Sequence, residues 1–232
     1  MSFMLAGDYQ GAIVKDLGVA TSSVSKGESL VDTGVTLDQM GINIMIIRHQ
    51  MTGAAHLLAK NVKASVVNAG DGSNEHPSQT LLDLYTIREE LGSLENKKIA
   101  FVGDLKYGRT VHSIAKALKM FNGEFYFIAP RSIQIPDYIL KELDMAKIKY
   151  HIHNDYKDIL KEIDCLYMTR IQRERFEDIE EYEKVKNVFS ISKKDIEGKC
   201  KEDMIIMHPL PRVDEINIDL DETKYAKYFK QA

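Results

Sequence analysis

The stretch KIAFVGDLKYGRTVHSIAKALKM, Lys98–Met120, decides the fold. It begins with a nearly continuous apolar run, Lys98–Gly103. A polar turn follows, DLKYGR, from Asp104 to Arg109. Then Thr110–Met120 carries a helical pattern. An apolar run of this length reads as a strand buried on both faces, and a helix directly after it makes the first half of a βα unit. The turn resembles a dinucleotide-binding glycine loop only in outline. Leu105 stands where the middle glycine is needed, so close backbone approach to a pyrophosphate is not expected.

The same grammar repeats along the chain. INIMII (Ile42–Ile47), ASVVNA (Ala64–Ala69), EFYFIA (Glu124–Ala129), KYHIH (Lys149–His153), DCLYM (Asp164–Met168) and MIIM (Met204–Met207) read as strands. Gly53–Lys60, Ser78–Leu91, Asp137–Leu143 and Tyr156–Ile163 read as helices. Leu81, Leu82, Leu84, Tyr85 and Ile87 supply the apolar positions of the second. Strand-helix alternation predicts an α/β chain with parallel sheets flanked by helices. Gly92–Asn96 interrupts the pattern after the longest helix, which places a domain boundary between residues 92 and 93.

Bulk properties bound the function. At 232 residues, the chain has room for one large domain or two small ones. Hydrophobic residues make up 44%, enough to fill a core, and the net charge of −4 gives no reason to expect nucleic acid. Cys165 and Cys200 lack metal-type spacing and read as reduced thiols of a cytoplasmic protein. No apolar run is long enough to span a membrane. The N-terminal MSFMLAGDYQG has no basic flank and meets Asp8 too early for a signal peptide.

The polar residues concentrate where the strands end. Arg48-His49 follows the first strand, NAGDGSNEHPSQ (Asn68–Gln79) the second, and DLKYGR the third. TRIQRER (Thr169–Arg175) follows DCLYM, and HPLPRVDEI (His208–Ile216) follows MIIM. In open α/β sheets, ligands bind outside the carboxyl ends of strands. Arg48, His76, Gln79, Arg109, Arg170 and Gln172 together suit carboxylates or phosphate, because guanidinium forks match those groups bidentately. Each cluster alone has a blander reading. Arg48 taken alone reads first as a solvated surface residue, and His76 reads equally as the residue before a Pro77 helix start. GDGSN reads as an ordinary glycine turn, and Arg170–Arg175 as a charged helix face. In HPLPR, two prolines restrict their own φ and the residue before each, stiffening the backbone around Leu210.

With these residues assembled, the chain resembles the catalytic chains of the aspartate carbamoyltransferase family. The resemblance rests on SSVSKGESLVDT (Ser22–Thr33), NAGDGSNEHPSQTLLDLYTI (Asn68–Ile87), VGDLKYGRTVHS (Val102–Ser113), YMTRIQRER (Tyr167–Arg175) and HPLPRVDEI, in family order. The sister ornithine family carries His-Cys-Leu-Pro where this chain has His208-Pro209-Leu210-Pro211, so an ornithine-type acceptor is less favoured. The resemblance implies carbamoyl transfer from carbamoyl phosphate to L-aspartate, in pyrimidine biosynthesis, with no cofactor and no metal. It implies that residues 1–92 form a carbamoyl-phosphate domain and residues 93–232 an aspartate domain. Arg48 and His76 would contact the carbamoyl oxygen. Gln79 and the carbonyls of Leu210 and Pro211 would hold the carbamoyl amino group, with Leu210–Pro211 cis. Arg109 and Arg170 would clamp the aspartate carboxylates with Gln172 assisting. Ser22 and Lys26 match a loop that reaches a neighbouring subunit's site, in a homotrimer with shared active sites; a regulatory chain is a further candidate partner.

The family also carries a Ser-Thr-Arg-Thr-Arg segment that cradles phosphate at a helix start, and a terminal helix. The alignable sequence begins after the first and stops before the second. The expectation is therefore a chain truncated at both ends, with an incomplete first domain that exposes apolar surface. Glu75, where relatives often carry Gln, adds negative charge near the phosphate side. Very weak or no transferase activity is expected of such a chain alone. Two other readings stand beside the transferase: a non-catalytic dicarboxylate-binding module using Arg109, Arg170 and Gln172, and an inactive fragment.

Overall fold

The computed structural model describes residues 1–18, 27–72, 74–173, 176, 178–186 and 188–232. They form two compact units, Met1–Ser78 and Gln79–Ala232.

In the first unit, helix α1 (Ser2–Tyr9) precedes α2 (Leu30–Gln39), strand β1 (Ile44–His49), α3 (Ala54–Ala59) and β2 (Ser65–Asp71). β1 and β2 pair in parallel, as a βαβ unit requires. Ser29 caps α2 by accepting the Asp32 amide at 3.1 Å. Gly34 lets α2 approach α3: a Cβ there would stand 2.0 Å from Leu58 Cδ1. Asp38 near the end of α2 accepts the amides of Lys63 and Ala64 and so anchors the start of β2. β1 turns Met45 inward and leaves Ile44 (59%) and Ile46 (44%) open, an exposed apolar face. Both strands run two residues further than the sequence pattern indicates, so Arg48 and Asn68–Asp71 lie within strands. Arg48 is accommodated because the end of β1 stays open to solvent, and the buried Asp71 at the end of β2 because four donors satisfy its carboxylate.

In the second unit, α4 (Pro77–Leu91) contributes its residues from Gln79 onward. It is followed by β3 (Lys98–Val102), α5 (Arg109–Leu118), β4 (Glu124–Ile128), α6 (Asp137–Met145), β5 (Tyr150–His153), β6 (Cys165–Met168), α7 (Ile179–Val185), α8 (Lys193–Ile196) and β7 (Ile205–Met207). All five strands are parallel, in the order β5-β4-β3-β6-β7. The chain lays down β3, β4 and β5 in one direction, then crosses back to place β6 and β7 on the other side of β3. The strand order therefore switches between β3 and β6.

Period-two alternation sorts the strand residues onto two faces. Ile99, Phe101, Phe125, Phe127, Cys165 and Tyr167 face one core with Val111, Ile114 and Leu118 of α5 and Ile87 of α4. Ala100, Val102, Tyr126, Ile128, Leu166, Met168 and Ile206 face the other, with Ile159, Leu160, Ile191, Ile196, Leu220 and Tyr228. Each large apolar side chain taken fully out of water contributes roughly 1.5–3 kcal/mol.

The expected helix at Tyr156–Ile163 is not formed. Lys157–Ile159 makes only a 3-10 turn. Tyr156, Ile159, Leu160 and Ile163 are all buried there, and the Tyr156 hydroxyl is held by the Ser190 carbonyl at 2.9 Å. Tertiary anchoring of a short segment overrides its helical pattern. No helix among the described residues is long and apolar enough to cross a membrane.

Candidate functional site

In the first unit, Arg48 is exposed near the end of β1, where the pairing register shifts between Ile47 and His49. An irregularity of this kind re-aims a side chain at a strand end. The loop after β2 is organised by Asp71. Its carboxylate accepts Gly53 N–H at 2.8 Å, Asn68 Nδ2 at 3.1 Å, Asn74 Nδ2 at 3.1 Å and Glu75 N–H at 3.2 Å. Burial pushes Asp71 up, but these four donors outweigh it and hold the carboxyl below its ordinary value. Gly72 adopts φ +57°, and a Cβ there would meet the Gln50 carbonyl at 2.6 Å. The loop therefore delivers His76 to the start of α4, where Pro77 takes the first helical position and Ser78 Oγ lies 3.3 Å from His76 Nδ1. The helix-start reading of His76 holds, since α4 begins at Pro77, whereas Gly70 and Asp71 of GDGSN belong to β2 and Ser73 lies outside the described residues.

The second unit places its polar residues along one sheet edge. Because β3, β6 and β7 are parallel neighbours, Arg109, Arg170, Gln172 and the HPLPR turn emerge at the same end. Arg109 is the first residue of α5. The loop before it is fixed from several sides. Asp104 Oδ1 accepts Tyr107 N–H at 2.9 Å, and the Leu105 and Lys106 amides donate to the Ile133 carbonyl at 3.0 Å. His112 Nε2 donates to the Leu105 carbonyl at 2.7 Å, which leaves Nδ1 to accept from Tyr138 Oη at 3.2 Å. Burial pushes His112 down, consistent with a neutral ring. Leu105 is fully buried, so this turn is not a nucleotide loop.

Arg170 and Gln172 follow β6 directly, both half-buried. Thr169 ties that exit to β3, donating N–H to the Val102 carbonyl at 2.8 Å and Oγ1 at 3.1 Å. Residues 169–172 are not helical, which removes the charged-helix reading of Arg170. After β7, the Leu210–Pro211 peptide is cis, as the resemblance implies, and Leu210 has φ +50°. His208 is 1% exposed and braces this turn. Its Nδ1 accepts Leu210 N–H at 2.8 Å, so Nε2 carries the ring proton and donates to Glu215 at 2.7 Å. Glu215 also accepts the Val213 and Asp214 amides. Arg212 forks onto Asp221 and lies over the Tyr228 and Phe229 rings. Ser22 and Lys26 lie outside the described residues.

Several organising residues escape a sequence reading. Asp71 and Asp104 sit inside quoted motifs and were visible as types, though not as loop anchors. Asp83 lies four residues after Gln79 on α4, a spacing that makes contact possible, and Gln79 Nε2 donates to it at 2.9 Å. Tyr167 and Gln231 also donate to Asp83 from 84 and 148 residues away, and nothing local signals that.

These features define an open parallel α/β chain with, in its second unit, arginines and a braced cis-proline turn at the carboxyl ends of strands, where ligands of such sheets bind. Residues 95–232 match the family model "Aspartate/ornithine carbamoyltransferase, Asp/Orn binding domain", and residues 1–89 match its "carbamoyl-P binding domain". The chain belongs to the aspartate/ornithine carbamoyltransferase family. It is 66% identical over 211 residues to the aspartate carbamoyltransferase catalytic subunit of Brachyspira hyodysenteriae, covering 91% of this chain and 58% of that one. It is 49% identical over 223 residues to the Methanocaldococcus jannaschii catalytic subunit, covering 96% of this chain and 72% of that one. A solved Trypanosoma cruzi aspartate transcarbamoylase, in complex with N-(phosphonacetyl)-L-aspartic acid, superposes with TM-score 0.91 at 36% identity, covering 99% of this chain and 74% of that one. The M. jannaschii catalytic subunit structure gives 0.88 at 47% identity, covering 99% and 75%. The chain thus spans well under two thirds of the Brachyspira relative's length.

Proposed function

We propose that this chain carries the carbamoyl-transfer machinery of an aspartate carbamoyltransferase, moving the carbamoyl group of carbamoyl phosphate to L-aspartate. The amine nitrogen of aspartate attacks the carbamoyl carbon, and the carbon–oxygen bond to phosphate breaks. The departing phosphate takes the amine proton, and N-carbamoyl-L-aspartate is left. Residues 1–92 serve carbamoyl phosphate, with Arg48 and His76 on the carbonyl oxygen, where negative charge develops as the amine attacks. Gln79 and the Leu210 and Pro211 carbonyls accept from the carbamoyl amino group. Residues 93–232 serve aspartate, through Arg109, Arg170 and Gln172. Ser22 and Lys26 complete a neighbouring site in a cytoplasmic homotrimer open to a regulatory chain. Holding two small charged substrates against each other removes much of the entropic barrier.

The observation that carries this reading is the placement of Arg109 and Arg170 on either side of the strand-order switch between β3 and β6. Two forked cations at one sheet edge suit an acceptor with two carboxylates better than one with an ammonium side chain. Calorimetry on the 232-residue chain with succinate, an unreactive dicarboxylate, tests it. R109A and R170A each weaken succinate binding by about 30-fold or more, at roughly 2 kcal/mol per charge-assisted contact. H76A spares succinate and weakens carbamoyl phosphate. Succinate binding indifferent to both arginines would overturn the assignment.

A further inference from the structure

Two elements assigned to the carbamoyl amino group, Gln79 and the Leu210 turn, are joined inside the second unit by a buried hydrogen-bond chain. Gln79 Nε2 donates to Asp83 Oδ1 at 2.9 Å, and Gln231 Nε2 donates to the same oxygen at 2.5 Å. Tyr167 Oη donates to Asp83 Oδ2 at 2.9 Å. From its other end, Gln231 Oε1 accepts His208 N–H at 2.9 Å. His208 Nδ1 in turn accepts Leu210 N–H at 2.8 Å. Asp83, His208 and Gln231 are 0%, 1% and 3% exposed. Gln231 is therefore a donor toward one element and an acceptor toward the other.

We propose that Gln231 is a positioning residue that sets the Gln79 carboxamide, through Asp83, and the Leu210 backbone, through His208, in one register for the carbamoyl amino group. This rests on the transferase reading above. An amino group of a carbamoyl is a planar donor and needs acceptors at defined angles. The ionised Asp83 carboxylate only accepts, so it holds the NH2 end of Gln79 toward itself and turns the carbonyl end the opposite way. A flipped Gln79 would meet the substrate donor with a donor. The Leu210 amide, fixed on His208, likewise orients the adjoining carbonyl. A residue that merely filled the core would lower stability without distinguishing one substrate from the other.

The titratable groups around the chain are Tyr167 and Cys165 on β6 beside Asp83, and His208 and Glu215 at the turn. Two variants test the role. Q231M keeps the side-chain length and removes both polar ends. Q231E keeps the acceptor toward His208 but faces Asp83 with a second carboxyl, a pair that must share a proton.

The first readout needs no substrate: the side-chain 15N–1H2 signals of Gln79, assigned with Q79L, shift and exchange faster in Q231M. The second is binding. Q231M weakens carbamoyl phosphate by about tenfold or more, while succinate changes by less than about twofold. Q231E is weak for carbamoyl phosphate at about pH 8 and recovers toward about pH 6.5, where the two carboxyls share one proton and the introduced one again donates to Asp83. This comparison is made within one variant, so it holds even if Q231M does not fold. Unchanged carbamoyl phosphate affinity in a cooperatively folded Q231M, equal loss of both ligands, or a pH-flat Q231E would overturn the role. If the unsubstituted chain binds succinate but not carbamoyl phosphate, the transferase reading falls, and this role falls with it.

Discussion

Replacing Asp83 by asparagine should change how stability depends on pH. Asp83 is fully buried, and burial pushes its carboxyl up from 3.8 to about 6, although Gln79, Gln231 and Tyr167 all donate to it. Three neutral donors with no cation do not repay the loss of water around a charge. The sign follows from proton binding. Between the unfolded value and the folded one, the folded state holds the proton more tightly. The stability that Asp83 contributes is therefore fully present below about pH 4 and is lost as pH rises through about 6. A rise from 3.8 to about 6 is worth about 3 kcal/mol, at 1.36 kcal/mol per unit, with a slope approaching that value per pH unit. The D83N variant cannot titrate. Its amide misfits one of the three donors, but that penalty is the same at every pH and enters only as an offset. Other carboxylates titrate alike in both proteins and cancel in the difference. Urea unfolding of both proteins, followed by circular dichroism between about pH 4 and pH 7, measures this directly. The wild-type advantage over D83N should shrink by about 2 kcal/mol or slightly more across that range, the rest of the change falling below about pH 4. A flat difference, or one that grows with pH, would show that the cluster compensates the charge and would refute the reasoning.

Two further outcomes follow from the turn and the sheet edge. Burial pushes Glu215 up, but the His208 ring and the Glu215 and Val213 amides outweigh it and hold the carboxyl below its ordinary 4.5. E215Q should therefore cost about 1.5–3 kcal/mol at neutral pH, and the deficit should vanish on acidification through the folded-state value, as read from urea midpoints. Gly103 has φ +121°, and a Cβ there would lie 2.3 Å from the Thr169 carbonyl. G103A should lose about 2–4 kcal/mol and weaken succinate binding, because β3 and β6 must separate where Arg109 and Arg170 emerge. A G103A protein as stable as the parent would show that these strand ends do not abut so closely.

The strands and helices were largely legible because burial on both faces leaves continuous apolar runs, as in Ile99–Val102 and Phe125–Ile128. Misreadings came where tertiary contacts outvoted local pattern. Tyr156–Ile163 is spaced like a helix, yet each apolar side chain is anchored separately against the sheet. β1 continues into Arg48 because its end is open to solvent, and β2 into Asp71 because hydrogen-bond donors from the surrounding loops satisfy that buried carboxylate. The candidate residues Arg48, His76, Gln79, Arg109, Arg170 and Gln172 were legible as unusual polar types after apolar runs. Their supports were not. Asp83 looks like an ordinary helical acid until Tyr167 and Gln231 are seen to converge on it.

By itself, the amino-acid order determined the βα repeat, the boundaries of most strands and the polar residues at their carboxyl ends, since these depend on neighbours within a few positions. It also determined the stiffness of the HPLPR turn, because proline restricts backbone angles locally. Only the tertiary structure decided that β6 lies beside β3, which puts Arg109 and Arg170 on neighbouring strand exits instead of opposite margins of the sheet. It alone decided that Gln231 bridges Asp83 and His208. Strand order and buried polar pairing are set by which faces can share one core, a balance summed over contacts between residues far apart in the chain.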